Sequence, residues 1–222
     1  MDRILYIVFT LAYLILLVVG LKGIRKEGLH KWTNVIYLIV IALVYDNFII
    51  AIGRWIGESS FLESLNLARF WFHAFFTPLL VIFSVGTLQE SGLKWAQKTW
   101  AKAATIIYTL GMIGLELIVE TIGIKLIPIQ EFGVLRYGTI EEVSGPPLMI
   151  LFVTLILILC SVVLWVKTKW VLFFIGVFIM TIGSVIPINV ESGAVTNAFE
   201  LFLIFTLIWT KRELIQNKIS IK

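Results

Sequence analysis

Charge is scarce in this 222-residue chain. Asp, Glu, Lys and Arg together make up 14% of it and apolar residues 59%. A soluble domain needs more polar surface than this composition supplies, which excludes the ordinary soluble classes. Cysteine is represented by Cys160 alone, so no intrachain disulfide can form. Inside an apolar run, this thiol reads as a small buried hydrophobe. Histidine occurs only at positions 30 and 73, which belong to opposite membrane faces. Multi-histidine zinc sites and bis-histidine haem are therefore excluded. No lysine falls mid-run, which excludes a retinal Schiff base, and no phosphate-binding loop or nucleophile elbow is present. Period-two alternation is missing from the apolar runs, which excludes a transmembrane barrel.

What remains is hydrocarbon in long blocks. Seven apolar runs cover positions 4–21, 35–52, 70–88, 101–119, 147–166, 171–188 and 194–210. At about 1.5 Å per residue, each is long enough to cross a hydrocarbon layer of about 30 Å as a helix. The expected fold is all-α, a single seven-helix transmembrane domain over 1–222 with no separate soluble domain. Thirteen of the eighteen basic residues fall in the connections on one side, among them Lys22, Lys31, Lys94, Lys167 and Lys211. Lys and Arg mark the cytoplasmic side, so the N-terminus is expected outside and the C-terminus inside, in the cell membrane. The net charge of +4 follows from this asymmetry and does not indicate a nucleic-acid partner. The eight tryptophans, from Trp32 to Trp209, all fall near span ends, at the level that indole prefers. The first run follows an uncharged Met1-Asp2-Arg3 flank and lacks a small-x-small cleavage pattern, so it reads as a retained helix and not a signal peptide.

Most connections are short, which makes consecutive helices antiparallel neighbours. The exception, 120–145, lies on the outer side. Its 126–140 stretch mixes strand formers around Glu131-Phe132-Gly133, predicting a small β-hairpin. A long ordered connection is either a lid over a site or a plug on helix ends. Its charges include Glu131, Arg136, Glu141 and Glu142. Pro146-Pro147 is expected to start the fifth helix, and Pro78 to kink the third. Gly111, Gly114, Gly176 and Gly183 permit close helix contact. No internal repeat is visible.

The polar residues inside the runs concentrate at one level. Asp46 and Asn47 lie in the outer half of the second span, and His73 about one turn below the outer surface, with Arg69 at the rim. Glu116 lies near the outer end of the fourth span, and Asn197 and Glu200 in the first two turns of the seventh. Arg69, His73 and Thr77 share one helix face by their four-residue spacing. The rim adds Arg54, Glu58, Glu63, Arg136, Asn189 and Glu191. Charges in hydrocarbon are costly and face a bundle interior, where they fix helix register or form a site. Asp46 and His73 are expected to face one another or to take Arg69 or Glu200 as partners.

Carboxyl groups and one imidazole suit acid–base work. A carboxylic acid withdrawn from water holds its proton to higher pH and can donate it to an apolar substrate. Asp46, His73 and Glu200 are the candidate catalytic residues, and Asn47, Arg69, Thr77, Glu116 and Asn197 the candidate ligand-binding residues. The chain is similar to small seven-span terpene cyclases in size and in carrying intramembrane acids, but it shares no motif with them. The reading is an enzyme acting on a lipid or isoprenoid-like substrate, without cofactor or metal. A small-solute or proton-coupled transporter and a receptor-like binding protein are the alternatives. Membrane lipid or an apolar small molecule is the expected partner, and a homo-oligomer is left open.

Overall fold

The computed structural model describes residues 1–27, 30–139, 147–186 and 190–216. Glu141, Glu142, Pro146 and Asn189, named above, lie outside these. The chain forms helices α1 (Asp2–Glu27), α2 (Ile36–Ile56), α3 (Ser60–Phe76), α4 (Leu79–Glu90), α5 (Thr99–Glu116), α6 (Leu148–Thr168), α7 (Leu172–Val185) and α8 (Val195–Ile215). A 3₁₀ turn, Trp32–Val35, leads into α2, and a π-helical turn, Leu117–Thr121, ends α5. The only strands among the described residues are β1 (Leu126–Glu131) and β2 (Val134–Thr139).

Five helices are long and apolar enough to cross a membrane: Asp2–Lys22, Trp32–Ile56, the bent rod Ser60–Glu90, Thr99–Thr121 and Leu148–Thr168. They make this an integral membrane protein. Leu172–Val185 is apolar but shorter. α8 has the length, but its ends carry Asn197 and Glu200 on one side and Lys211, Arg212 and Glu213 on the other. The break between α3 and α4 falls at Thr77-Pro78, where the proline ring denies the helix an N–H and crowds the preceding turn.

α3 begins ten residues before the apolar run at 70–88 does. Hydropathy hides this turn because Glu63, Ser64 and Asn66 are polar. Its local chemistry is nevertheless that of a helix start: the Ser59 hydroxyl accepts from the Leu62 N–H at 3.3 Å. His73 therefore lies more than three turns into its helix, not one.

The β-hairpin is the expected one, with Glu131 paired to Val134 and Leu126 to Thr139. Phe132 (φ 49°) and Gly133 (φ 86°) make its two-residue turn, both left-handed as a hairpin with right-handed twist requires. Phe132 is a bulky residue in that region, and its carbonyl is held by two donors, the Met1 amino group at 3.1 Å and the Asp2 N–H at 3.3 Å. Asp2 in turn accepts from the Gly193 N–H at 2.7 Å, and Tyr6 donates to the Gly193 carbonyl at 3.0 Å. The hairpin, the start of α1 and the start of α8 are thus tied at one end of the bundle.

β2 is the buried strand. Leu135 and Tyr137 pack with Ile49 and Leu62 into a small core against α2 and α3. The Leu135 carbonyl lies directly over Gly53, where a Cβ would clash with it. Gly53→Ala should therefore cost about 1–3 kcal/mol by overpacking. Thermal unfolding should register the loss, and amide exchange over 134–139 should accelerate; unchanged exchange would mean that the hairpin is not seated on α2.

The main core joins α1, α2, α4, α6, α7 and α8 through residues such as Tyr13, Phe83, Phe173, Leu164 and Leu207, with Cys160 buried among them. The end opposite the hairpin is not purely apolar. Lys211, 1% exposed, donates to the Tyr37 hydroxyl at 3.1 Å, and that hydroxyl donates to the Gly20 carbonyl at 3.0 Å. Thr33 donates to Glu90 at 2.7 Å on the same side.

Candidate functional site

α2 and α3 are antiparallel and joined by the short connection at 57–59, so residues equally far from it come level. Asp46 and Arg69 are such a pair. The Arg69 Nε donates to Asp46 Oδ1 at 2.8 Å, with the two side chains 12% and 27% exposed. Arg69 Nη1 also donates to Asn66 Oδ1 at 2.7 Å, and Asn66 Nδ2 is spent on the Leu62 carbonyl at 2.8 Å. The guanidinium is therefore held from both sides in one orientation. Asn66, buried three residues before Arg69, was missed by the sequence reading because its turn lies outside the apolar run. The spacing Asn66, Arg69, His73 was the available signal.

His73 makes no direct hydrogen bond to Asp46, although both line one cavity. Its Nδ1 is 3.2 Å from the Thr77 hydroxyl, and its Nε2 is 3.8 Å from Glu116 Oε1 on α5. Glu116 is buried and ends the regular part of α5, just before the π-helical turn. Such turns widen a helix locally and recur at functional sites. Asn47 is buried beside Asp46. It donates to the Leu43 carbonyl at 2.9 Å and accepts from Asn197 at 3.3 Å, tying α2 to α8.

A partly open cavity of about 200 Å³ lies among α2, α3, α4, α6, α7 and α8. Asp46, Arg69, His73, Thr77 and Glu200 line it, and Asn47, Glu116 and Asn197 do not. The rest of the wall is apolar, including Leu43, Phe72, Phe76, Val153 and Ile204. Its polar groups are set among apolar side chains along its whole length, with Ile150 and Val153 toward the hairpin end and Ile39, Leu80 and Leu157 further along their helices. None of the described hairpin residues lines it; the hairpin packs on α2 and α3 through Leu135 and Tyr137.

Glu200 makes no hydrogen bond or ion pair among the described residues and faces this cavity. Asp46 is the charged group that acts on it. The arrangement offers one carboxyl tied to a guanidinium, one carboxyl without a partner, and an imidazole backed by a hydroxyl and a second carboxyl. Proton donation, proton acceptance and charge stabilisation are all within its means. Among the described residues no three His, Cys, Asp or Glu side chains converge as a metal-binding group. No family model, no curated protein and no solved structure matches this chain.

Proposed function

We propose that this integral membrane protein is an enzyme that does acid–base chemistry on a lipid or isoprenoid-like molecule, held in the cavity between α2, α3, α6 and α8. The observation that carries this reading is the cavity itself: apolar walls with Asp46, Arg69, His73 and Glu200 exposed to one space. Its volume, on the order of seven waters at bulk density, is below that of drug-sized sites. It therefore takes a small molecule or one end of a longer one. Glu200 serves as acid or charge stabiliser, His73 as base, and Arg69, fixed by Asp46 and Asn66, orients the substrate. Glu116 and Thr77 set the imidazole, and Asn47 with Asn197 holds α2 against α8. A binding protein or transporter would use the same cavity without turnover.

The test is mass spectrometry of membrane lipids and metabolites from cells expressing the wild type, Glu200→Gln or no protein. A species formed or consumed only with the wild type is the expected result. Identical profiles in all three, with saturable binding intact, would replace the enzyme by the binding protein or transporter.

The reading includes seven spans with the N-terminus outside and the polar groups of the cavity in the outer half of the cell membrane. It is supported by the basic residues, which crowd the end opposite the hairpin: Lys22, Lys31, Lys94, Lys98, Lys102, Lys167, Lys169, Lys211 and Arg212. A reporter fused after residue 222 should be active only in the cytoplasm. An active C-terminal alkaline phosphatase outside the cell would invert the protein and put the cavity in the other leaflet.

A further inference from the structure

Two carboxyl groups, those of Asp46 and Glu200, the Arg69 guanidinium and the His73 imidazole face the cavity. The imidazole has partners of its own, the Thr77 hydroxyl at 3.2 Å and the Glu116 carboxyl at 3.8 Å. The guanidinium is already matched: its Nε donates to Asp46 at 2.8 Å and its Nη1 to Asn66 at 2.7 Å. That leaves Glu200 as the lining acid with no ion pair among the described residues, and the second carboxyl, that of Asp46, shares its cavity. Two phenyl rings, Phe72 and Phe76, line the same space. The negative face of a phenyl ring attracts a cation within about 6 Å of its centre. An anionic head would meet the carboxyls unfavourably, and a neutral one would gain nothing from ionising Glu200, whereas a cation beside it favours the carboxylate form.

We propose that the cavity binds an amphiphilic monocation: a small ammonium head seated against Glu200, on an apolar chain or body that lies between Val153 and Leu157 of α6 and Leu203 and Ile204 of α8. The proposal rests on the reading of this cavity as a ligand site and adds the charge of the ligand to it. Specificity comes from Glu200, the one carboxyl lining the cavity that has no hydrogen bond or ion pair among the described residues. A cation supplies the partner that the chain leaves open. The apolar wall selects against small hydrophilic cations, which would give up their hydration with too few partners.

The probes are octylammonium, octanol and octanoate, which share a chain and differ in the charge of the head. Purified full-length protein in nanodiscs of uncharged lipid is titrated with each, and thermal unfolding and calorimetric heat are followed. Octylammonium should bind the wild type saturably and at least tenfold more tightly than octanoate. Glu200→Gln removes no hydrogen bond, so it should fold as the wild type does. It should weaken octylammonium at least tenfold and leave octanol unchanged. Tighter binding of octanoate than of octylammonium would overturn the proposal, because Arg69 would then be reading an anion. Equal octylammonium binding by wild type and Glu200→Gln would also overturn it, by reducing the effect to partition into the bilayer. Octylammonium binding without turnover of any lipid would leave the cation site standing and remove the enzymatic reading. Turnover of an uncharged lipid that depends on Glu200, with no octylammonium binding, would do the reverse.

Discussion

Arg69→Met should destabilise the protein by about 1–3 kcal/mol, below the range for a fully buried ion pair because Asp46 stays 27% exposed. The loss of attraction is the smaller part. The guanidinium is only 12% exposed, and its removal leaves the Asp46 carboxylate in an apolar cavity facing a second acid, Glu200. It also strands the Asn66 Oδ1, in a side chain that is itself fully buried. Desolvation of these orphaned polar groups makes up most of that cost. The double variant Asp46→Leu/Arg69→Met removes both charges and should recover most of the loss, because apolar groups of similar volume replace ion pairs at little cost. A double-mutant cycle on reversible unfolding in mixed micelles measures the coupling, which should reach about 1–3 kcal/mol. A single-variant cost below about 1 kcal/mol would mean that water fills the cavity and solvates Asp46. The double variant also separates two roles. A pair that only sets helix register can be replaced without loss of activity, whereas a pair that holds Arg69 toward a substrate cannot.

Much of the fold was legible because hydrocarbon length is a strong constraint. The runs at 4–21, 35–52, 101–119 and 147–166 each became a helix that is long and apolar enough to span. The hairpin was legible from Gly133 between strand formers, and the kink from Pro78. Polar helical turns were not legible. Ser59 to Leu67 reads as a loop by hydropathy, yet a serine cap and the packing of Leu62 under β2 make it the start of α3. This moved His73 further into its helix and hid Asn66. The level of the polar residues could be read from span direction, and the cavity does gather five of the eight residues named from the sequence. Their pairing could be read only in part, Arg69 being one of the partners named for Asp46, because depth along a helix does not give the angle around it. Asp46 and His73 lie on neighbouring helices, but the angular positions give Arg69 to Asp46 and Glu116 to His73. Lys211 is the clearest omission. Its place among basic residues near the chain end marks a wet anchor, yet it is buried against Tyr37 because Gly20 leaves room for the phenol ring.

Glu200→Gln should lower turnover at least a hundredfold while leaving stability within about 1 kcal/mol of the wild type, as general acid–base groups contribute about 10²–10⁴ in rate. The two effects separate because of where Glu200 stands. It makes no hydrogen bond or ion pair among the described residues, so the amide that replaces its carboxyl breaks nothing in the fold. Its side chain nevertheless shares a cavity with His73 and Arg69, so any proton it gives, or charge it stabilises, is lost with the carboxyl. Asn197, one helical turn earlier, supplies the contrast. Asn197→Ala removes the 3.3 Å bond to Asn47 that ties α8 to α2, and it should cost about 1 kcal/mol with turnover nearly unchanged. His73→Ala should resemble Glu200→Gln, and Glu116→Gln, which acts on the imidazole from 3.8 Å, should fall between these two and Asn197→Ala. The measurement is product formation in membranes by mass spectrometry, beside unfolding of the same purified variants. If Glu200→Gln and His73→Ala keep full turnover and lose only stability, these groups fix helix register. If Asn197→Ala loses turnover as severely as Glu200→Gln, the α2–α8 spacing governs activity, and the acid–base assignment to Glu200 fails.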